Sequence, residues 1–266
     1  DKAQGTKAAP FGTINRAMEE VRKYNKEMDG DIYVYVSGRF VLTEPIVFYE
    51  QDSGYNGFKV IYKSEDAVLD GGLRLTGWTE EAKGIWKASA HGLRVRQIYI
   101  NGKRAHNAEA AGEFAKDWVL TENGYTVPAG TLSDMKNPED MELMYHHPGW
   151  TEGRIGIEKI DGNSVIMKQP AFRMGRRFAY MLPTRLGNAY EFIAEDGDWC
   201  VDTAEDTVYL KYSGNPNDSE IIAGNIEQLM VFDGTYEKYS DGNFRAFGSG
   251  QRHAGEGAFG PQEGPD

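Results

Sequence analysis

Cysteine is nearly absent from this chain. Cys200 is the only one in 266 residues, so no intramolecular disulfide can form and no cysteine cluster can hold zinc. Basic residues are in deficit: 29 Lys and Arg stand against 41 Asp and Glu, a net charge of −12. That excess opposes phosphate backbones and anionic bilayers, which argues against nucleic acid and membrane surfaces as partners. No apolar run reaches transmembrane length. The first residue is Asp1 and no signal segment precedes the folded pattern, as expected of a processed or trimmed chain. Strict internal repeats are missing. Gly248-x-Gly250 lacks the Gly-Lys-Ser/Thr of a phosphate loop, and no serine nucleophile elbow occurs.

Glycine, with 32 residues, and aromatics, with 15 Tyr and 5 Trp, are plentiful. Both suit a β-rich chain with many turns. Aromatic faces fill β cores, and they also line carbohydrate sites. The length supports one large or two smaller domains. An acidic surface suits a neutral polysaccharide, and it also confers solubility.

Thr13 is placed to cap a helix through Ile14, Ala17, Met18, Val21 and Tyr24, apolar at three- and four-residue steps and stopped by Asp29-Gly30-Asp31. Residues 32–75 alternate in short runs (Ile32, Val34, Val36; Phe40-Val41-Leu42; Ile46-Val47-Phe48; Val60-Ile61-Tyr62; Ala67-Val68-Leu69) separated by turn residues. That spacing fits a sandwich or a solenoid. Ile98 and Ile100 alternate with Gln97 and Tyr99 before Asn101-Gly102, a type I′ hairpin signal with a basic exit at Lys103-Arg104. Arg154–Ile157 and Ser164–Met167 pair across the Asp161-Gly162-Asn163 turn.

Three stretches carry a resemblance: Gly71-Gly72 with Leu75-Thr76-Gly77-Trp78, then Ile85-Trp86-x-Ala88, then Arg96–Ala105. In this order and spacing they resemble the start of secreted right-handed parallel β-helix proteins acting on polysaccharides, the group around glycoside hydrolase family 141. The resemblance implies a mostly β fold: an N-terminal cap helix, the first coils of a right-handed parallel β-helix, and an inserted antiparallel β-sandwich. It places the cap and first coils in 1–105, the inserted sandwich-like domain in 106–220 and a return to the β-helix in 221–240. A Gly-rich tail occupies 241–266. It implies secreted or periplasmic localisation, no cofactor, and a plant cell-wall polysaccharide (xylan, cellulose or β-glucan) as substrate. Family members carry further coils, which hold their proposed catalytic carboxylates. No family residue therefore carries over, and a fragment of a larger enzyme or a non-catalytic carbohydrate-binding scaffold stand as alternatives to a hydrolase. An uncovered solenoid edge would invite a second copy, so a homo-oligomer is expected.

Glycoside hydrolysis needs two carboxyl groups facing one cleft. Glu191, Asp198 and Asp202 lie beside Tyr190 and Trp199 and are the catalytic candidates; hydrolysis should stop in the Glu191 or Asp198 amide. Trp150, His147, Trp199 and Tyr190 are the substrate-binding candidates. His146 and His147, adjacent on a strand, point to opposite faces and make a poor metal pair, so no metal is expected. In the tail, His253 beside Glu256 could move protons near neutral pH, but its Gly-rich setting offers no rigid support.

Overall fold

The computed structural model describes residues 3–112, 114–147, 151–175 and 182–233. His253, Trp150 and the 241–266 tail lie outside them. The chain divides into two compact units, Asp1–Gly72 with Ile226–Asp266, and Leu73–Asn225. It is mostly β with few helices, and its sheets are mostly antiparallel. Among the described residues no helix is long and apolar enough to cross a membrane.

In the first unit Thr13 is extended (φ −140°, ψ 153°) and its Oγ1 accepts the Arg16 N–H at 3.1 Å, which starts the helix Ile14–Val21. Ile14, Met18 and Val21 form its buried stripe. The helix ends three residues short of Tyr24. There Arg22 turns to a bidentate pair with the Asp52 carboxylate (2.6 and 2.9 Å), and the Asn25 amide donates to the carbonyls of Gln51 and Ser53 at 2.8 and 2.9 Å. These tertiary bonds pull the next turn into the 3₁₀ segment Asn25–Glu27.

Three strand pairs follow, all parallel. Ile32–Tyr35 pairs with Val60–Lys63, Arg39–Val41 with Val68–Asp70, and Ile46–Tyr49 with Met230–Asp233. Their inward residues Phe40, Phe48, Tyr62, Leu69 and Met230 pack with Ile14, Met18 and Ile46 as one core. Gly71 is closed in by Ile226 and Leu229: a Cβ there would lie 2.6 Å from the Ile226 side chain.

The described residues of the second unit form three sheets. A seven-stranded sheet runs in the order Glu109–Ala111, Arg185–Gly187, Glu142–His147, Thr151–Asp161, Ser164–Met167, Gly124–Thr126, Val119–Leu120, antiparallel throughout. Tyr125, Met141, Leu143, Ile157, Met167 and Phe172 fill its core. A five-stranded sheet runs His106–Asn107, Asp198–Asp202, Thr207–Lys211, Ile85–Ser89, Thr79–Ala82. A four-stranded sheet runs Lys103–Arg104, Ile98–Ile100, Ile221–Gly224, Gly72–Arg74. These two sheets share one core, with Trp199, Val201, Val208 and Leu210 from the first against Ile98, Ile221 and Ala223 from the second. Trp78, from the Leu75–Trp78 motif, seals it and exchanges two 3.0 Å bonds with the Asn217 amide.

The Asn101-Gly102 hairpin forms as its sequence dictates, with φ +49° and +78° and Lys103 facing Ile100. The Gly162 turn (φ +56°) likewise joins Thr151–Asp161 to Ser164–Met167. Residues 190–192 form a 3₁₀ turn, and the Asn137 side chain accepts the Tyr190 N–H at 3.2 Å.

Candidate active site

The five-stranded sheet buries one face in the shared core. Strand alternation turns Asp198, Cys200 and Asp202 to the other face, together with Tyr209. That second face is covered by the segments around 136–140 and 188–197, so all five residues of Asp198–Asp202 are buried. Three asparagine amides fasten the cover. Asn137 donates to the carbonyls of Asn188 and Val201 at 2.8 Å each. Asn188, at φ +64°, donates to Asp140 and Val201 carbonyls (2.9 and 3.0 Å) and accepts the Val201 N–H at 2.9 Å. Asn107 donates to the Trp199 carbonyl at 3.2 Å.

At the edge of this sheet the short strand His106–Asn107 runs parallel to Asp198–Asp202, with His106 opposite Asp198. His106 Nδ1 lies 3.0 Å from Asp198 Oδ1. The Asp198 side chain is 9% exposed and that of His106 is 61% exposed. Burial opposes Asp198 ionisation. The Glu195 and Ala194 N–H groups, donating to Oδ2 at 2.8 and 3.0 Å, and the imidazole outweigh it, and the carboxyl is held below the ordinary range. An ionised carboxylate only accepts, so Nδ1 carries the proton and donates, leaving Nε2 of the neutral ring as the free lone pair. Glu109 Oε1 lies 3.9 Å from Nε2. Glu109 is in turn bound by Arg185 at 2.9 Å, and Arg185 also pairs with Glu152. The exposed nitrogen of an oriented imidazole therefore faces a carboxylate that is itself fixed. Such a group can take or give a proton at one defined atom. The described residues hold no group of three or more His, Cys, Asp or Glu arranged for a metal ion.

The acidic candidates have different partners. Asp198 belongs to the dyad. Asp202, on the same strand face, is four residues away, or roughly 13 Å at the rise of a strand, and its carboxylate receives the Glu205 N–H at 3.0 Å. Glu191 is exposed in the 3₁₀ turn and accepts the Lys136 N–H at 2.9 Å. The structure does not bring Asp198 and Asp202 together at the spacings of a glycosidase pair, about 5–5.5 or 6.5–9.5 Å.

Trp199 is 2% exposed and belongs to the shared core, which is the inward side of its strand. The Tyr190 ring meets Tyr209 edge-on at 4.9 Å, and Lys136 Nζ sits 4.2 and 4.1 Å from the two ring centroids. The Tyr190 face is thereby occupied by a cation. His147 is opposite Thr151 at the end of its hairpin. Sequence reasoning missed His106, Glu109 and Arg185. Their partners lie far away in the chain, and His106 follows the hairpin exit with no local motif.

No family model matches the chain, and no curated protein matches it. Over 88% of its length it is similar to a solved structure named "Glycoside hydrolase", at a TM-score of 0.65 and 21% identity. It spans 46% of that structure, so the chain is about half its length. A second solved structure, "The complex structure of XylC with xylose", aligns with 86% of the chain and 31% of its own length, at a TM-score of 0.38 and 15% identity. The first likeness gives the chain a glycoside hydrolase-like fold.

Proposed function

We propose that this chain is a carbohydrate-active protein, a glycoside hydrolase acting on a neutral plant cell-wall polysaccharide such as xylan, cellulose or β-glucan, outside the cytoplasm. The parallel pairs of the first unit are read as opening coils of a right-handed parallel β-helix, and the second unit as the sandwich-bearing insertion. The observation that carries the functional reading is the exposed His106 held by buried Asp198 on this fold. His106 Nε2 exchanges the proton that must reach the leaving glycosidic oxygen or leave the attacking water. Asp198 positions the ring through Nδ1, and Glu109 lies beside its other nitrogen. Net charge of −12 supports a neutral polymer over an anionic one.

A second reading, carbohydrate binding without cleavage, is favoured by one observation. Every described carboxyl with a resolved shift (Glu20, Glu81, Asp198 and Asp206) is pushed down, toward the ionised form. None is held protonated as the acid of a glycosidase pair must be. Reducing-sugar release from xylan, cellulose, mixed-linkage glucan and pectin, with pull-down on the insoluble polymers, separates the two. Release lost in Asp198→Asn or Glu191→Gln with the fold intact supports hydrolysis at these groups. Full activity in both removes them, and pull-down without release makes the chain a binding module. A homo-oligomer, with a second copy covering the open β-helix edge, is part of the same proposal, and light scattering over a concentration series tests it.

A further inference from the structure

The strand Ile32–Tyr35 alternates strictly. Ile32 and Val34 are half-buried, while Tyr33 and Tyr35 are 52% and 76% exposed. The pleat puts i and i+2 on one side of a strand, so both rings leave the same face. Their centroids are 6.3 Å apart and their planes 19° from parallel. The parallel register sets Ile61 beside Tyr33 and Lys63 beside Tyr35. Two exposed aromatic neighbours on one strand face put amphipathic rings within reach of a ligand.

We propose that Tyr33 and Tyr35 form a stacking platform for a neutral polysaccharide chain, in the first unit and distinct from the His106 site. The C–H groups on a pyranose face carry slight positive charge and meet the negative face of an aromatic ring. The two exposed rings, 6.3 Å apart on one side of a strand, offer two such contacts to a repeating polymer. The phenol hydroxyls and the exposed Lys63 ammonium supply hydrogen bonds to sugar hydroxyls at the margin. Stacked nucleic-acid bases would need a basic groove along the backbone, and the chain carries 12 negative charges in excess. The ligand class rests on the carbohydrate reading above; the location does not.

The test is pull-down of the full chain on insoluble xylan and cellulose. Wild type is expected to be retained. Y33A/Y35A should lower the apparent affinity by about tenfold or more, with an unchanged melting temperature. Y33F/Y35F, which keeps the rings, should bind like wild type, as should V41S, which alters an exposed residue of the next strand along the chain. Undiminished retention of Y33A/Y35A, or no retention of wild type on either polymer, overturns the platform. So does a dimer in light scattering that Y33A/Y35A disperses, which would give the surface to a second copy. Sugar release without retention removes the platform and leaves the hydrolase reading standing. Retention lost in Y33A/Y35A with no release by any form does the reverse.

Discussion

His106 Nδ1 lies 3.0 Å from Asp198 Oδ1, across 92 residues of sequence, because the strand His106–Asn107 adds in parallel to the edge of Asp198–Asp202. An exposed imidazole is thereby tied to a buried, ionised carboxylate. The pairing fixes which ring nitrogen is protonated and which one faces solvent.

The first prediction concerns acid stability. Asp198 has a folded-state pKa below its unfolded value of about 3.9. A depressed carboxyl contributes stability that is present above the unfolded pKa and lost as pH falls through the folded one. Asp198→Ala should therefore cost about 2 kcal/mol at pH 7, the scale of hydrogen bonds to a charged group. The gap between wild type and variant should narrow steadily below about pH 4. Urea unfolding at a series of pH values reads both.

A second prediction follows from Asn188. Its amide makes three bonds of 2.9–3.0 Å between Asp140 and Val201, and its backbone is left-handed at φ +64°. Asn188→Ala removes the bonds and strains the backbone, at a cost of about 3 kcal/mol. Asn188→Gly removes only the bonds and should lie about 1 kcal/mol closer to wild type. Thermal or chemical denaturation distinguishes the two.

Much of the local fold is legible in the sequence. Thr13 announces its helix, and Asn101-Gly102 announces its turn, since each acts within three residues of itself. Pairing partners are not legible. Whether a short apolar strand joins a parallel or an antiparallel neighbour is decided by residues far along the chain, as with Ile46–Tyr49 and Met230–Asp233. The run Asp198–Asp202 looks half-exposed by its alternation, yet it is covered on both faces, by a sheet on one and by asparagine-pinned loops on the other. Hence Trp199 is a core residue. The dyad was half visible: Asp198 stands out beside aromatics, whereas His106 stands alone.

Glycine positions supply a third prediction. A Cβ on Gly124 would lie 1.9 Å from the Val165 carbonyl oxygen, a backbone atom that cannot rotate away. Gly124→Ala should destabilise by about 3 kcal/mol through forced separation of Gly124–Thr126 from Ser164–Met167. Among the described residues nothing lies within 4 Å of the same position on Gly153, so Gly153→Ala should be close to neutral. Melting temperatures of the pair make the comparison.

The most direct test of the central claim is the pH dependence of reducing-sugar release by wild type, His106→Gln and Asp198→Asn on soluble xylan and β-glucan oligosaccharides. The account predicts release by wild type and a fall of about 100-fold or more in kcat/KM for both His106→Gln and Asp198→Asn, with near-wild-type circular dichroism. Release by His106→Gln at the wild-type rate, with the wild-type pH profile, would contradict it.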